Sequence, residues 1–335
     1  MLVKYALSLR HILTSSFLLS SASAFATTSS SVSFSSAKSL HTSSGPLLKM
    51  SNLSEFGVSK VDFPKSISIH PGTSQPEDQP KLNPINASCN VLIVGATRGI
   101  GLEFVKQCLS KGATVIGTHR SEEVSSELQA LQTEFPDSFH CLQMDVSSEI
   151  SIRDASASLA LKSKDFGPLS HIIHNAGIYL SETSFDGKSR GPRPAAPAVT
   201  KEALLKTFEI NTIAPLLVAQ HFVPLMGKRD KLLYPVLAFM SSKVGSIDDN
   251  GSGGAYAYRS SKSALNNIAK SISNDLADEI RVVLLHPGYV RTAMTSGKGF
   301  IDVDESASGL LNAIEATDAN QGFRFVDYKA CLIPW

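Results

Sequence analysis

Beyond residue 88, short and wholly apolar runs alternate with stretches whose apolar residues recur every three or four positions. Asn90-Val91-Leu92-Ile93-Val94 is the first run, and its β-branched residues suit a strand covered on both faces. Leu102, Val105 and Leu109 follow at helical spacing. Further along, the pattern predicts strands over 113–118, 139–144 and 236–240, and helices over 121–134, 204–226 and 264–276. Such alternation predicts βαβ units with right-handed crossovers. The expected architecture is an α/β, Rossmann-type, doubly wound and mostly parallel sheet with helices on both faces, in a single domain over 89–335. Ligands of such folds sit outside the carboxyl ends of the strands.

Residues 1–88 lack this pattern. Residues 1–54 contain no Asp or Glu, four basic residues (Lys4, Arg10, Lys38, Lys49) and 17 serines. An acid-free, Ser-rich leader reads as a removable targeting peptide. The small residues Ala22-Ser23-Ala24 before Phe25 favour a plastid, with the mitochondrion as the alternative. The apolar patch 12–19 is far too short to span a bilayer. Residues 55–88 read as a linker, broken by Pro64, Pro71, Pro76, Pro80 and Pro84. Past the leader, 27 basic face 30 acidic residues, and the whole chain is nearly neutral at +1, which supplies no field for nucleic acid. Cys89, Cys108, Cys141 and Cys331 form no Cys-x-x-Cys, so neither a disulfide framework nor a metal site is expected.

Chemistry enters with Gly95-Ala96-Thr97-Arg98-Gly99-Ile100-Gly101, between the first strand and the first helix. Glycines there let the backbone approach a pyrophosphate, which the positive end of the helix then holds. An NAD enzyme would show an acidic residue about 20 positions on. Here the second strand ends Thr118-His119-Arg120, and Arg98 with Arg120 suits a 2′-phosphate, so NADP(H) is the expected cofactor.

Tyr258 and Lys262 lie four apart on a helix and share a face. A phenol titrates near pH 10, and an adjacent ammonium together with a cofactor's positive ring would acidify it enough to exchange protons at neutral pH. Tyr256 has Ser260 in the corresponding place. Ser241-Ser242 closes the 236–240 strand, and Ser242 is the better placed to hydrogen-bond a carbonyl oxygen.

In this order, the glycine loop, His174-Asn175-Ala176-Gly177, Asn211, Ser242, Tyr258 with Lys262, and Pro287-Gly288 resemble the short-chain dehydrogenase/reductase family over about residues 90–335. Arg259-Ser260-Ser261-Lys262-Ser263-Ala264-Leu265-Asn266, His286-Pro287-Gly288-Tyr289-Val290 and Ile333-Pro334-Trp335 are similar to its Sniffer-like and C-factor-like carbonyl reductases. The resemblance implies NADPH-dependent reduction of a small aldehyde, ketone or quinone by a homodimer or homotetramer. It implies that Gly95, Gly99 and Gly101 line the pyrophosphate, with Thr97, Arg98 and Ile100 also binding the cofactor. Asp145 and Val146 would meet the adenine, and Asn175, Ala176 and Gly177 the ribose beside it. Asn211 would support a water relay to Lys262. Tyr258 would protonate the substrate oxygen, Ser242 orient it, and Lys262 hold the nicotinamide ribose. Pro287, Gly288, Val290 and Thr292 would flank the nicotinamide.

Val94 and His174 depart from the family's usual Thr and Asn. The spacing from Ser242 to Tyr258 is also long, through a polar, glycine-rich loop at 248–254. Residues 186–197 read as a loop near the substrate and 293–301 as a short lid, followed by a helix capped by Asp302 with Glu305. Two other readings use the same residues: a non-catalytic NADP-binding sensor or scaffold, and a sugar-nucleotide epimerase or dehydratase. The intact Ser, Tyr and Lys argue against the first. The glycine spacing argues against the second.

Overall fold

A computed structural model of the chain describes residues 82–180, 184–190, 195–228, 234–317 and 322–335. The leader, the linker as far as residue 81 and part of the 186–197 loop lie outside the described residues. Seven strands form one parallel sheet: β1 (Asn90–Val94), β2 (Thr114–His119), β3 (Phe139–Gln143), β4 (His171–His174), β5 (Val236–Met240), β6 (Arg281–His286) and β7 (Arg324–Asp327). Their order is β3-β2-β1-β4-β5-β6-β7. The chain therefore reverses direction across the sheet between β1 and β4. At such a switch point two loops part and leave a crevice.

The unbroken apolar runs are explained by two cores. In β1, Val91 and Ile93 pack on one face with α1 (Gly99–Ser110), α2 (Ser126–Glu134) and α7 (Val303–Glu315). Leu92 and Val94 pack on the other with α3 (Glu149–Phe166), α5 (Ala214–Phe222) and α6 (Tyr256–Asp275). A strand alternates its side chains, so burial on both sides demands an apolar residue at every position.

Several boundaries differ from the sequence reading. The helix expected over 204–226 is divided into α4 (Lys201–Phe208), a π-helical turn (Glu209–Ile213), α5 and a 3₁₀ turn at Val223–Leu225 containing Pro224. The π turn spans five residues, too short a window for apolar periodicity to tell it from an α turn. The helix expected over 121–134 starts at Ser126, where Ser125 accepts from the Leu128 N–H. Asp302 does occupy the N-cap of α7, but without a side-chain cap bond. Its carboxylate instead takes the Arg291 guanidinium, Nε at 2.6 Å and Nη2 at 2.7 Å. A reciprocal cap forms at Thr292 and Thr295.

The end of the linker is built into the fold. Asn83 and Ile85 are buried. Leu82 and Asn83 both donate to the Glu315 carbonyl oxygen at 2.9 Å, and the Ile85 N–H donates to the Glu315 carboxylate at 3.1 Å. Among the described residues no helix is long and apolar enough to cross a membrane.

Candidate active site

The glycine loop shows why each glycine is required. Gly95 has φ +82° and lies against Ala176, where a Cβ would come to 3.0 Å from the backbone. Gly101 is buried, and a Cβ there would fall 2.0 Å from the Gly95 carbonyl oxygen. It therefore sets the close approach of α1 to the loop, the space a side chain would need being filled by the loop's own backbone. Gly99 differs again. Its φ is +55°, and the space a Cβ would enter is open except for the Thr292 Cγ2 at 3.8 Å. The open side of the loop thus faces the 287–292 segment, and the first N–H groups of α1 point into the gap.

Other residues brace this gap. The Gly95 N–H donates to Thr118 Oγ1 at 2.9 Å, and Asn175 Nδ2 donates to the Gly95 carbonyl oxygen at 2.9 Å. Asp145 Oδ1 accepts from the Ser147 N–H and hydroxyl at 2.9 and 2.8 Å. Val146 is partly buried against the second core. Thr97 and Ile100 are partly exposed, whereas Arg98 and Arg120 are exposed with no ion-pair or hydrogen-bond partner among the described residues. A cradle that only glycine tolerates, a free helix end and two unpaired guanidinium groups fit a phosphorylated dinucleotide.

A cleft of about 960 Å³ opens at the carboxyl end of the sheet. Ser242 and Tyr258 lie in its wall, as do Ile100, Pro287, Gly288, Val290 and Thr292. Ser242 follows β5 in extended conformation and shares the cleft wall with Tyr258. Ser241 turns away and donates to Asn266 Oδ1 at 2.6 Å. Tyr179 meets Tyr258 edge-on, ring centroids 5.1 Å apart. Tyr256 is 40% exposed and packs beside Phe185, with centroids 6.2 Å apart.

Lys262 is buried beneath this surface. Its Nζ donates to the Met240 carbonyl oxygen at 2.8 Å and lies 5.7 Å from the Tyr258 ring centroid. Gly177 makes room between Lys262 and Asn211, since a Cβ there would approach Asn211 Oδ1 to 3.3 Å and Lys262 Nζ to 3.6 Å. The π turn points Asn211 inward, where its amide holds both backbone groups of Ile178 at 2.9 Å and donates to Ser261 Oγ at 3.2 Å.

The titration of the pair differs from the sequence reading. Burial pushes the Tyr258 phenol up to about 12, the neighbouring Ser242 side chain pulling the other way. Burial also lowers Lys262 to about 7. The polypeptide alone therefore holds the phenol neutral, and the lysine, engaged with Met240, does not acidify it. Desolvation dominates, because the phenol is set into the cleft wall and Lys262 is buried beneath it.

The loop between Ser242 and α6 is held at several points. Asp248 N–H and Ser246 Oγ donate to the Trp335 main-chain oxygen at 2.8 and 3.2 Å. Trp335 in turn stacks on Phe323 at 5.4 Å. Arg259 donates to the carbonyl oxygens of Val244 and Gly253 at 3.0 and 3.2 Å. Gly253, Gly254 and Ala255 all have positive φ at the start of α6. The extra length seen in the sequence is thus an ordered wall of the cleft.

The short chain dehydrogenase family's sequence pattern matches residues 89–299. The chain belongs to this family. C-signal of Myxococcus xanthus is 37% identical over 170 residues, covering 50% of this chain and 94% of that protein. The carbonyl reductase Sniffer of D. melanogaster is 31% identical in its solved structure, with a TM-score of 0.66 over 73% of this chain and 99% of that one. An NADPH-bound carbonyl reductase from chicken fatty liver is 28% identical, with a TM-score of 0.64 over 76% and 100% of the two chains. The sequence motifs had pointed to this family and to its carbonyl reductases. They did not single out Tyr179, Phe185 or Lys298, which also line the cleft. These residues stand in loops, where no periodic signal marks them.

Proposed function

We propose that this oxidoreductase reduces the carbonyl group of a small molecule, with NADPH as reductant and Tyr258 as proton donor. The observation carrying the reading is that Ser242 and Tyr258 line one cleft, next to the 287–292 wall and the open glycine loop, with Lys262 Nζ 5.7 Å from the Tyr258 ring centroid. Bound in that gap, NADPH would supply the hydride. Ser242 then orients the substrate oxygen and stabilises its developing charge. The neutral Tyr258 phenol holds the proton that this oxygen must receive. Lys262 and Asn211, on either side of Gly177, support the site from below. The cofactor assignment rests on Arg98 and Arg120 and on the NADPH held by the chicken relative.

Tyr258→Phe tests the reading. Turnover of simple aldehydes should fall by roughly 1,000-fold or more, while NADPH still binds with near-unchanged affinity by fluorescence titration. A variant retaining more than about a tenth of the activity would remove Tyr258 from this role. We also propose that the acid-free leader directs the protein to a plastid. Sequencing the N-terminus of protein isolated from purified plastids tests it, and an intact Met1 elsewhere in the cell would reject it.

A further inference from the structure

We infer that the cleft selects carbonyl compounds that carry an anionic oxygen group, such as a carboxylate or phosphate. This rests on the reductase reading above. The chain as a whole is balanced, with 31 basic and 30 acidic residues. The cleft is not: Lys188, Arg190, Lys243, Arg259 and Lys298 line it against a single acid, Asp249.

Pairing removes part of this excess but not all of it. Lys243 lies 3.5 Å from Asp249 and the two charges cancel. Arg190 grips Asp186 with two hydrogen bonds of 2.9 and 2.8 Å, and Lys188 approaches the same carboxylate at 3.9 Å. One carboxylate thus serves two cations. Lys298, on the 293–301 segment, has no ion-pair partner among the described residues. Two segments from different parts of the chain therefore each bring an uncompensated positive charge to one cavity. These cations are exposed, yet charges of one sign around one cleft reinforce one another and raise the local concentration of the opposite ion, most at low salt. Around them stand Tyr179, Phe185, Tyr256 and Tyr289, which suit an aromatic body joining the anion to the carbonyl.

The test compares 4-carboxybenzaldehyde and 4-formylphenyl phosphate with methyl 4-formylbenzoate at saturating NADPH. The ester is intrinsically the more electrophilic aldehyde than the carboxylate, so any preference for the carboxylate comes from the protein. At low ionic strength we expect kcat/KM for an anionic aldehyde to exceed that for the ester about fivefold or more, the gap closing as salt screens the charges. Whichever anion leads identifies the group. Lys298→Gln should lower that ratio by about threefold. Equal kcat/KM for charged and neutral aldehydes overturns the inference. So does a Lys298→Gln variant whose only change is a raised KM for NADPH, which would assign the lysine to the cofactor. Failure to turn over any aldehyde would instead sink the reductase reading. Calorimetric titration of 4-carboxybenzaldehyde and of the ester into NADPH-loaded protein then decides the charge preference by itself, with equal affinities counting against it.

Discussion

At the scale of single residues, the cleft turns on which groups are free and which are already committed. Ser241 and Ser242 are neighbours of identical chemistry, yet one is bonded to Asn266 and the other lines the cleft with Tyr258. Lys262 is committed to Met240, whereas Arg98 and Arg120 are uncommitted and exposed. That freedom suits them to a 2′-phosphate. Replacing both arginines by Ala should raise the NADPH KM roughly tenfold to a hundredfold, since each charge-assisted bond contributes about 1.5–3 kcal/mol less its solvent screening. The NADH KM should change little. Steady-state kinetics with the two cofactors checks this, and a parallel loss for both would place the arginines elsewhere.

At the scale of elements, three glycines that look equivalent in the motif do different work. Gly101 sits where any side chain meets backbone, so Gly101→Ala should push α1 off β1 and destabilise the fold by about 2–3 kcal/mol. Gly99 has room for a methyl group and only its positive φ to lose. Gly99→Ala should cost about 1 kcal/mol of stability while weakening NADPH binding, because the methyl group enters the phosphate's space. Thermal unfolding together with cofactor titration separates the two variants. Equal loss of stability in both would contradict the division. The same lesson holds for the helix expected over 204–226. Its apolar stripe was readable, but the π turn that aims Asn211 inward was not, because five residues are too short a window for periodicity.

At the scale of the molecule, burial on both sheet faces also traps histidines in neutral form. His171 and His174 in β4 are buried, and burial lowers them from 6.5 to about 4 and about 3. The folded state refuses a proton that the unfolded chain accepts near pH 6.5. Stability is therefore at its full value above that pH and falls as the pH drops toward 4. The expected loss is about 1 kcal/mol per histidine per pH unit. Melting temperatures measured from about pH 7.5 down to 4.5 should show this decline, with a shallower slope in His174→Asn. A flat profile would mean that these rings are not held neutral.

The alternation of apolar runs, the glycine triplet and the Tyr-x-x-x-Lys spacing were sufficient to place the chain in an α/β oxidoreductase family. Each is a local constraint: a buried strand must be apolar throughout, a phosphate cradle must lack Cβ atoms, and one helical turn brings two side chains together. Tertiary structure decided which serine faces the cleft, that Gly101 packs while Gly99 stays open, and that the residues before Cys89 dock against Glu315. It also decided the titration of Tyr258 and Lys262, and the surplus of cations in the cleft. Desolvation and net charge at a point depend on every element that closes over it. Residues far apart in sequence supply them, so no window of the chain contains the answer.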